Sequence, residues 1–172
     1  MILKEDSTEQ KLRGAYYTPL KLAKKMVDFF KDDLSIKSIL EPSCGDGVFV
    51  DALLESQFLS QHKRVTAIEI EKKEAEKLSE KLKDNSNIDV VNGDFFEFYH
   101  KHKDMDTYDL ILGNPPYIRY QYLEEKQRSE MAEILTSHGM KANKLINTWV
   151  GFMVACVHML SDNGKIAFVI PA

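Results

Sequence analysis

A chain of 172 residues that is 44% hydrophobic can bury one sizeable core and is too short for several ordinary domains. Charged residues make up 29% and leave a net charge of −4, the wrong sign for a protein that coats nucleic acid through its overall field, though compatible with a local basic face. Two cysteines, Cys44 and Cys156, outside any CxxC spacing, argue against a disulfide framework or a zinc site, and the polar start MILKEDSTEQK with no apolar run near 18 residues points to a soluble, reduced, cytoplasmic protein without a membrane partner.

In chain order, Thr18-Pro19 reads as a helix N-cap followed by a first-turn proline. Leu22, Ala23, Met26, Val27 and Phe30 then recur at helical spacing. KSIL is a short buried strand running into the glycine-bearing turn EPSCGDG, and VFVDALLES is the helix after it. RVTAIEI is a second strand, followed by the charged surface helix EKKEAEKLSEKLK with opposite charges three or four apart. NIDVVNGD and YDLILGN supply strands three and four. Residues 119 to about 145 are polar and mixed, with SHGMKANK as loop. INTWVGFMVACVHML is an apolar helix, SDNGK a turn and KIAFVI a fifth strand.

Apolar strands alternating with helices predict an α/β fold, a doubly wound, mainly parallel sheet covered on both faces, with ligands at the carboxyl ends of its strands. Each unusual residue cluster falls at such an end: Glu41 to Gly47, Glu69 to Glu71, Asp94-Phe95 and Asn114 to Tyr117. Their coincidence argues for a single site.

In EPSCGDG, Gly45 and Gly47 allow a tight turn and close approach of a ligand to the backbone. A nicotinamide dinucleotide is one candidate, with Glu69 holding ribose hydroxyls, but the third glycine of GxGxxG is missing and Glu41 would repel a pyrophosphate. An acidic turn suits a positively charged ligand with an amino group, such as S-adenosylmethionine. Glu69 can accept from both hydroxyls of a ribose and Ile70 can lie against a purine face, while Glu71 either shares that role or starts the charged helix. Asp94 can accept from an adenine amino group with Phe95 beside the ring, or the pair is simply a strand-end turn.

GNPPY is stiff, because each proline fixes its own φ and pushes the preceding residue toward extended geometry. The Asn114 side-chain oxygen and the Pro115 carbonyl can each accept one N–H from an amine conjugated to a planar group. That draws the nitrogen toward a tetrahedral shape and aims its lone pair at an electrophile. Pro116 completes the platform, and Tyr117 can stack on the ring. His100, His102 and His138 lie in charged or loop stretches without a metal-ligand pattern, His158 reads as a core or boundary histidine, and Trp149, Phe152 and Met153 as core.

With GAYYTP, EPSCGDG, IEI, GDFF and GNPPY in this order, the chain resembles the N6-adenine DNA methyltransferases of restriction–modification systems, the group whose cofactor motifs precede the target-recognition region. The resemblance runs from about Gly14 to Ala172 and implies a Rossmann-like S-adenosylmethionine-dependent fold. It implies that Thr18 touches the methionine part of the cofactor and that the turn from Glu41 through Pro42, Cys44 and Gly45 to Gly47 wraps it. Glu69 would take the ribose and Asp94 the cofactor adenine. Asn114, Pro115, Pro116 and Tyr117 would hold an adenine flipped out of double-stranded DNA. Such enzymes have seven strands and the sequence supplies five, so residues 1–172 are expected to form an incomplete catalytic core, truncated after the fifth strand. The last hairpin and the target-recognition domain would come from further sequence or a separate subunit. As isolated, the chain is expected to bind cofactor and to methylate DNA poorly or not at all. Rival readings are a release-factor glutamine-N5 methyltransferase, which also carries NPPYI, an RNA base methyltransferase, and a cofactor-binding subunit without catalysis.

Overall fold

The computed structural model describes residues 17–59, 63–143 and 145–170. Gly14 to Tyr16 of the GAYYTP motif, Lys144, and Pro171 with Ala172 lie outside these residues. Helix α1 (Leu20–Asp28) leads to strand β1 (Ser38–Glu41), helix α2 (Val48–Glu55), strand β2 (Arg64–Glu69), helix α3 (Lys72–Lys81) and strand β3 (Ile88–Asn92). Helix α4 (Phe95–His102), strand β4 (Tyr108–Gly113), a 3-10 turn (Tyr120–Tyr122), helices α5 (Glu125–Ser137) and α6 (Thr148–His158), and strand β5 (Leu160–Phe168) complete the order.

The five strands form one sheet in the order β3-β2-β1-β4-β5, and every neighbouring pair is parallel. Side chains alternate across a strand, so Leu40, Ile68 and Ile111 face one side, where α4, α5 and α6 bury Phe96, Met131, Leu135 and Phe152 against them. Ile39, Val65, Leu110 and Leu112 face the other, packed by Ala23 and Val27 of α1 and Phe49, Ala52 and Leu53 of α2. Helix α3 closes that side over β2 through Leu78 and Ala67. The three layers are those expected of a doubly wound sheet. Only β1, β2 and β4 are deeply buried; β3 and β5, at the two edges, are largely half-buried or exposed.

Three local expectations change. Thr18 does not cap α1: Pro19 occupies the N-cap position and no side chain bonds the first turn. Asp94 opens a true helix in place of a strand-end turn. Its Oδ1 accepts from the N–H groups of Phe96 (2.8 Å) and Glu97 (3.3 Å), and the Asp94…Glu97 spacing is that of a capping box. The polar stretch after Tyr117 contains α5, which buries Met131, Ile134 and Leu135 at helical spacing.

SDNGK, expected as a turn, lies inside β5 as an irregularity. Tyr108 pairs with Leu160 and Leu110 with Lys165, so the residues between bulge away from the ladder. A Cβ at Gly164 would stand 2.8 Å from the Tyr108 carbonyl oxygen, which explains the glycine there.

Gly47 precedes α2 at φ +84°, and a Cβ there would meet Leu78 Cδ1 at 2.4 Å. The position suffers both left-handed backbone strain and a clash with the α3 core. Gly47→Ala is expected to destabilise the fold by roughly 1–3 kcal/mol in chemical denaturation, without change in the slope of the transition.

Candidate active site

A cavity of about 620 Å³ opens along the carboxyl ends of the strands. It is bounded by the ends of β1, β2, β3 and β4, the start of α1, and the first turns of α4, α5 and α6. The residues expected to form one site are brought together there: all line the cavity except Gly47, Pro115 and Tyr117. Gly47 serves the turn described above, Pro115 is buried, and Tyr117 stands behind Asn114.

The acidic turn sits where β1 ends. Glu41 is 1% exposed, and its Oε2 has no hydrogen-bond partner among the described residues. Burial, reinforced by the nearby charges of Asp46, Glu69 and Asp51, pushes this carboxyl well above the usual carboxylate range. A buried carboxyl oxygen with no partner among the described residues, at a cavity wall, is the group an incoming ammonium would satisfy, because it supplies both the charge and the donor. The adjacent Cys44 is buried, and burial pushes its thiol up, so it acts as a small apolar wall rather than a nucleophile.

Glu69, at the end of β2, is held by backbone. The Gly45 N–H donates to Oε2 and the Glu71 N–H to Oε1, each at 2.7 Å. The chain therefore aims this carboxylate before any ligand arrives. Glu71 occupies the N-cap position of α3 without a side-chain cap, so of the two acids Glu69 is the one built into the turn. Ile70 is 55% exposed beside it, an apolar side chain left on the cavity wall. Asp94 lies at the β3 end, and Phe95 and Phe96 pack on Phe152 of α6 with ring centroids 4.7 and 5.0 Å apart. Phe152 thus does two things, core packing as expected and lining of the cavity.

At the end of β4 the Asn114 amide is fixed from both sides. Its Nδ2 donates to Thr18 Oγ1 (3.1 Å), and its Oδ1 accepts from the Tyr117 hydroxyl (2.5 Å). That hydroxyl also lies against the Val169 carbonyl just past β5. Burial pushes the Tyr117 phenol up, which keeps it a donor. The hydroxyl of Thr18, only 8% exposed, is turned inward to the amide instead of capping α1. Beyond Tyr117, the Ile118 carbonyl accepts from both the backbone N–H (2.8 Å) and the hydroxyl (2.6 Å) of Thr148 at the start of α6, and this anchors the rigid loop at its far end.

Sequence reasoning missed Gln127 and Thr148, which also line the cavity. Gln127 belongs to the helix read as mixed polar chain. Thr148 offered the clearer signal, since Asn147 before it is a helix-capping residue that accepts from the Trp149 N–H.

An αβα sandwich with acidic groups at the ends of β1, β2 and β3 and an Asn-Pro-Pro-Tyr platform at the end of β4 is the Rossmann-like fold of S-adenosylmethionine-dependent methyltransferases. The methyltransferase subunit of a type I restriction–modification system from Streptococcus thermophilus shares it, with a TM-score of 0.67 at 18% identity over 89% of this chain and 34% of that one. Residues 15–172 match the Eco57I restriction-modification methylase family, and the chain belongs to that family. Among curated relatives it is 30% identical over 157 residues to the type II methyltransferase M.AccI of Acinetobacter calcoaceticus, covering 91% of this chain and 27% of the relative. It is 29% identical over 166 residues to the type II methyltransferase M.HincII of Haemophilus influenzae, covering 96% and 29%. The chain therefore spans less than a third of the length of these relatives.

Glu41 gives the site a measurable pH signature. A carboxyl whose folded pKa is raised favours the fold only while protonated, so stability is lost as pH climbs above the ordinary value of 4.5. Glu41→Gln is expected to raise the thermal midpoint of the ligand-free protein by roughly 2–4 °C at pH 8, with the gain vanishing toward pH 4.5. Thermal unfolding across that range measures it; a gain independent of pH would contradict the assignment.

Proposed function

We propose that this chain is the methyl-transfer core of an enzyme that moves a methyl group from S-adenosylmethionine to the N6 amino group of adenine in DNA, within a restriction–modification system. The observation that carries the reading is a single crevice in which three carboxylates, on successive strand ends, lead to an asparagine amide clamped by Thr18 and Tyr117. Family membership supports the same chemistry.

In this reading Glu41 faces the ammonium of the cofactor, which suits its unpartnered Oε2. Thr18 lies beside the methionine part, and Pro42, Cys44 and Gly45 shape the wall around it. Glu69 accepts from the ribose hydroxyls, Ile70 covers the purine, and Asp94 accepts from its amino group with Phe95 alongside. When bound, the cofactor supplies an electrophilic methyl group.

The target adenine is flipped out of the duplex, at a cost of a few kcal/mol. An amide oxygen carries two lone pairs, so Asn114 Oδ1 can accept the Tyr117 hydroxyl and one amine N–H together. The Pro115 carbonyl accepts the other N–H, and the two bonds localise the lone pair on nitrogen. No strong base is required, since the proton can leave once the new N–C bond has formed. Tyr117, expected as a stacking surface, stands outside the cavity lining and acts instead by fixing the Asn114 amide through its hydroxyl. Residues 1–172 are assigned to methyl transfer. Target recognition is assigned to sequence outside this core, in the same polypeptide or a separate subunit.

Incubation of this core, joined to the sequence or subunit that supplies target recognition, with radiolabelled S-adenosylmethionine and duplex DNA is expected to place label in N6-methyladenine. Asn114→Ala should lower that transfer by at least about 10²-fold, the size of a lost transition-state hydrogen bond at a preorganised site. Cofactor affinity should stay within about threefold. Label in RNA or in a protein glutamine, with none in DNA, would overturn the substrate assignment, and full activity in the variant would overturn the role of Asn114.

A further inference from the structure

We infer that Gln127, on the first turn of α5, is the positioning residue that sets how the site discriminates the purine of its cofactor; the inference rests on the reading of Asp94 as acceptor of the adenine amino group. The Asp94 carboxylate is fixed through both oxygens. Oδ1 is tied down by the N–H groups of Phe96 and Glu97 at the start of α4, at 2.8 and 3.3 Å. Those two bonds converge on one oxygen. They resist turning of the carboxylate about its last bond, a soft torsion for aspartate, from one side only, and the second of them is long. The Gln127 Nε2 donor holds the other side by reaching Oδ2 at 2.7 Å.

The geometry of α5 supports a dedicated role. Leu123 and Glu124, just before the helix, line the cavity together with Gln127. The neighbouring Lys126 forms an ion pair with Glu97, so two consecutive residues of α5 meet two residues at the start of α4. Lys126 and Glu97 are outside the cavity lining, whereas Gln127 and Asp94 are within it. The first pair docks the helices and the second reaches the ligand space.

The chemistry follows from what the fixed oxygen can do. A carboxylate only accepts, so an Asp94 carboxylate held in one orientation at the cavity wall favours a purine presenting an amino group at position 6 and disfavours one presenting a carbonyl. The discrimination depends on orientation, since a carboxylate that can rotate away loses the amino bond and relieves the repulsion from a carbonyl. Gln127 thus contributes to specificity by holding another residue, with no need to touch the purine.

Isothermal titration of the chain with S-adenosylhomocysteine and with S-inosylhomocysteine, whose 6-amino group is replaced by a carbonyl, tests this. The wild type is expected to bind the adenosyl ligand at least about tenfold more tightly, the worth of one hydrogen bond to a charged group together with avoided repulsion. Gln127→Met keeps length and packing but removes the donor, and should reduce that preference roughly five- to tenfold, mainly through weaker adenosyl binding. Lys126→Ala, which loosens only the docking of α5 on α4, should keep the preference whatever it does to absolute affinity or melting temperature. An unchanged preference in Gln127→Met, or an equal loss for both ligands, would overturn the inference while leaving the cofactor reading intact. A wild type that binds neither ligand would overturn both. Because preference is a ratio measured within one variant, partial loss of folded protein does not disguise the result.

Discussion

The structure depends on the pairing of β1 with β4, through Ile39 with Leu110 and Leu40 with Ile111. From β1 the chain winds outward through β2 to β3, then crosses back to place β4 on the opposite side of β1. The helices of the first half lie on one face and those of the second half on the other, so connections leaving β1 and β4 diverge. That divergence opens the crevice. Without the central pairing, the end of β1, which carries Glu41, and the end of β4, which carries Asn114, would have no reason to share one cavity.

The two strand ends are finished in opposite ways. Among the described residues Glu41 is buried without a hydrogen-bond partner for one of its oxygens, an arrangement unfavourable to the ligand-free protein and relieved by a cationic ligand. Asn114 is held by Thr18 on one side and Tyr117 on the other, with Val169 behind the tyrosine. Binding would therefore satisfy the first group, while the second is already oriented. The bond from the Val169 N–H to the Gly113 carbonyl (3.0 Å) extends the β4–β5 ladder, which links the asparagine's posture to the edge of the sheet.

Much of this was legible in the chain itself. Buried strands announced themselves as short apolar runs, and the fold class followed from their alternation with helices. The clusters at Glu41, Glu69, Asp94 and Asn114 stood at strand ends, and in a parallel sheet strand ends converge. What escaped were segments whose signal was local and weak. Asp94 and Glu97 carried a capping box, but Asp94-Phe95 read as a cofactor contact or a strand-end turn, and the helix at Glu125–Ser137 buries few residues behind a polar surface. SDNG looked like a turn, yet the close approach of Tyr108 to Gly164 folds it into a bulged strand.

The residue sequence by itself determined which groups could do chemistry and that they would lie along one edge of a sheet, because hydrophobic period and turn residues are properties of neighbours in the chain. Tertiary structure alone decided how those groups are held. Thr18 turns from an expected cap to an amide partner because Asn114, 96 residues away, offers it a donor. Tyr117 stands behind Asn114, its hydroxyl tied to that amide and to a carbonyl beyond β5. Asp94 acquires Gln127 from a helix that nothing in its own strand could foretell. Such pairings are set by which surfaces meet when the layers pack, and no local pattern encodes them.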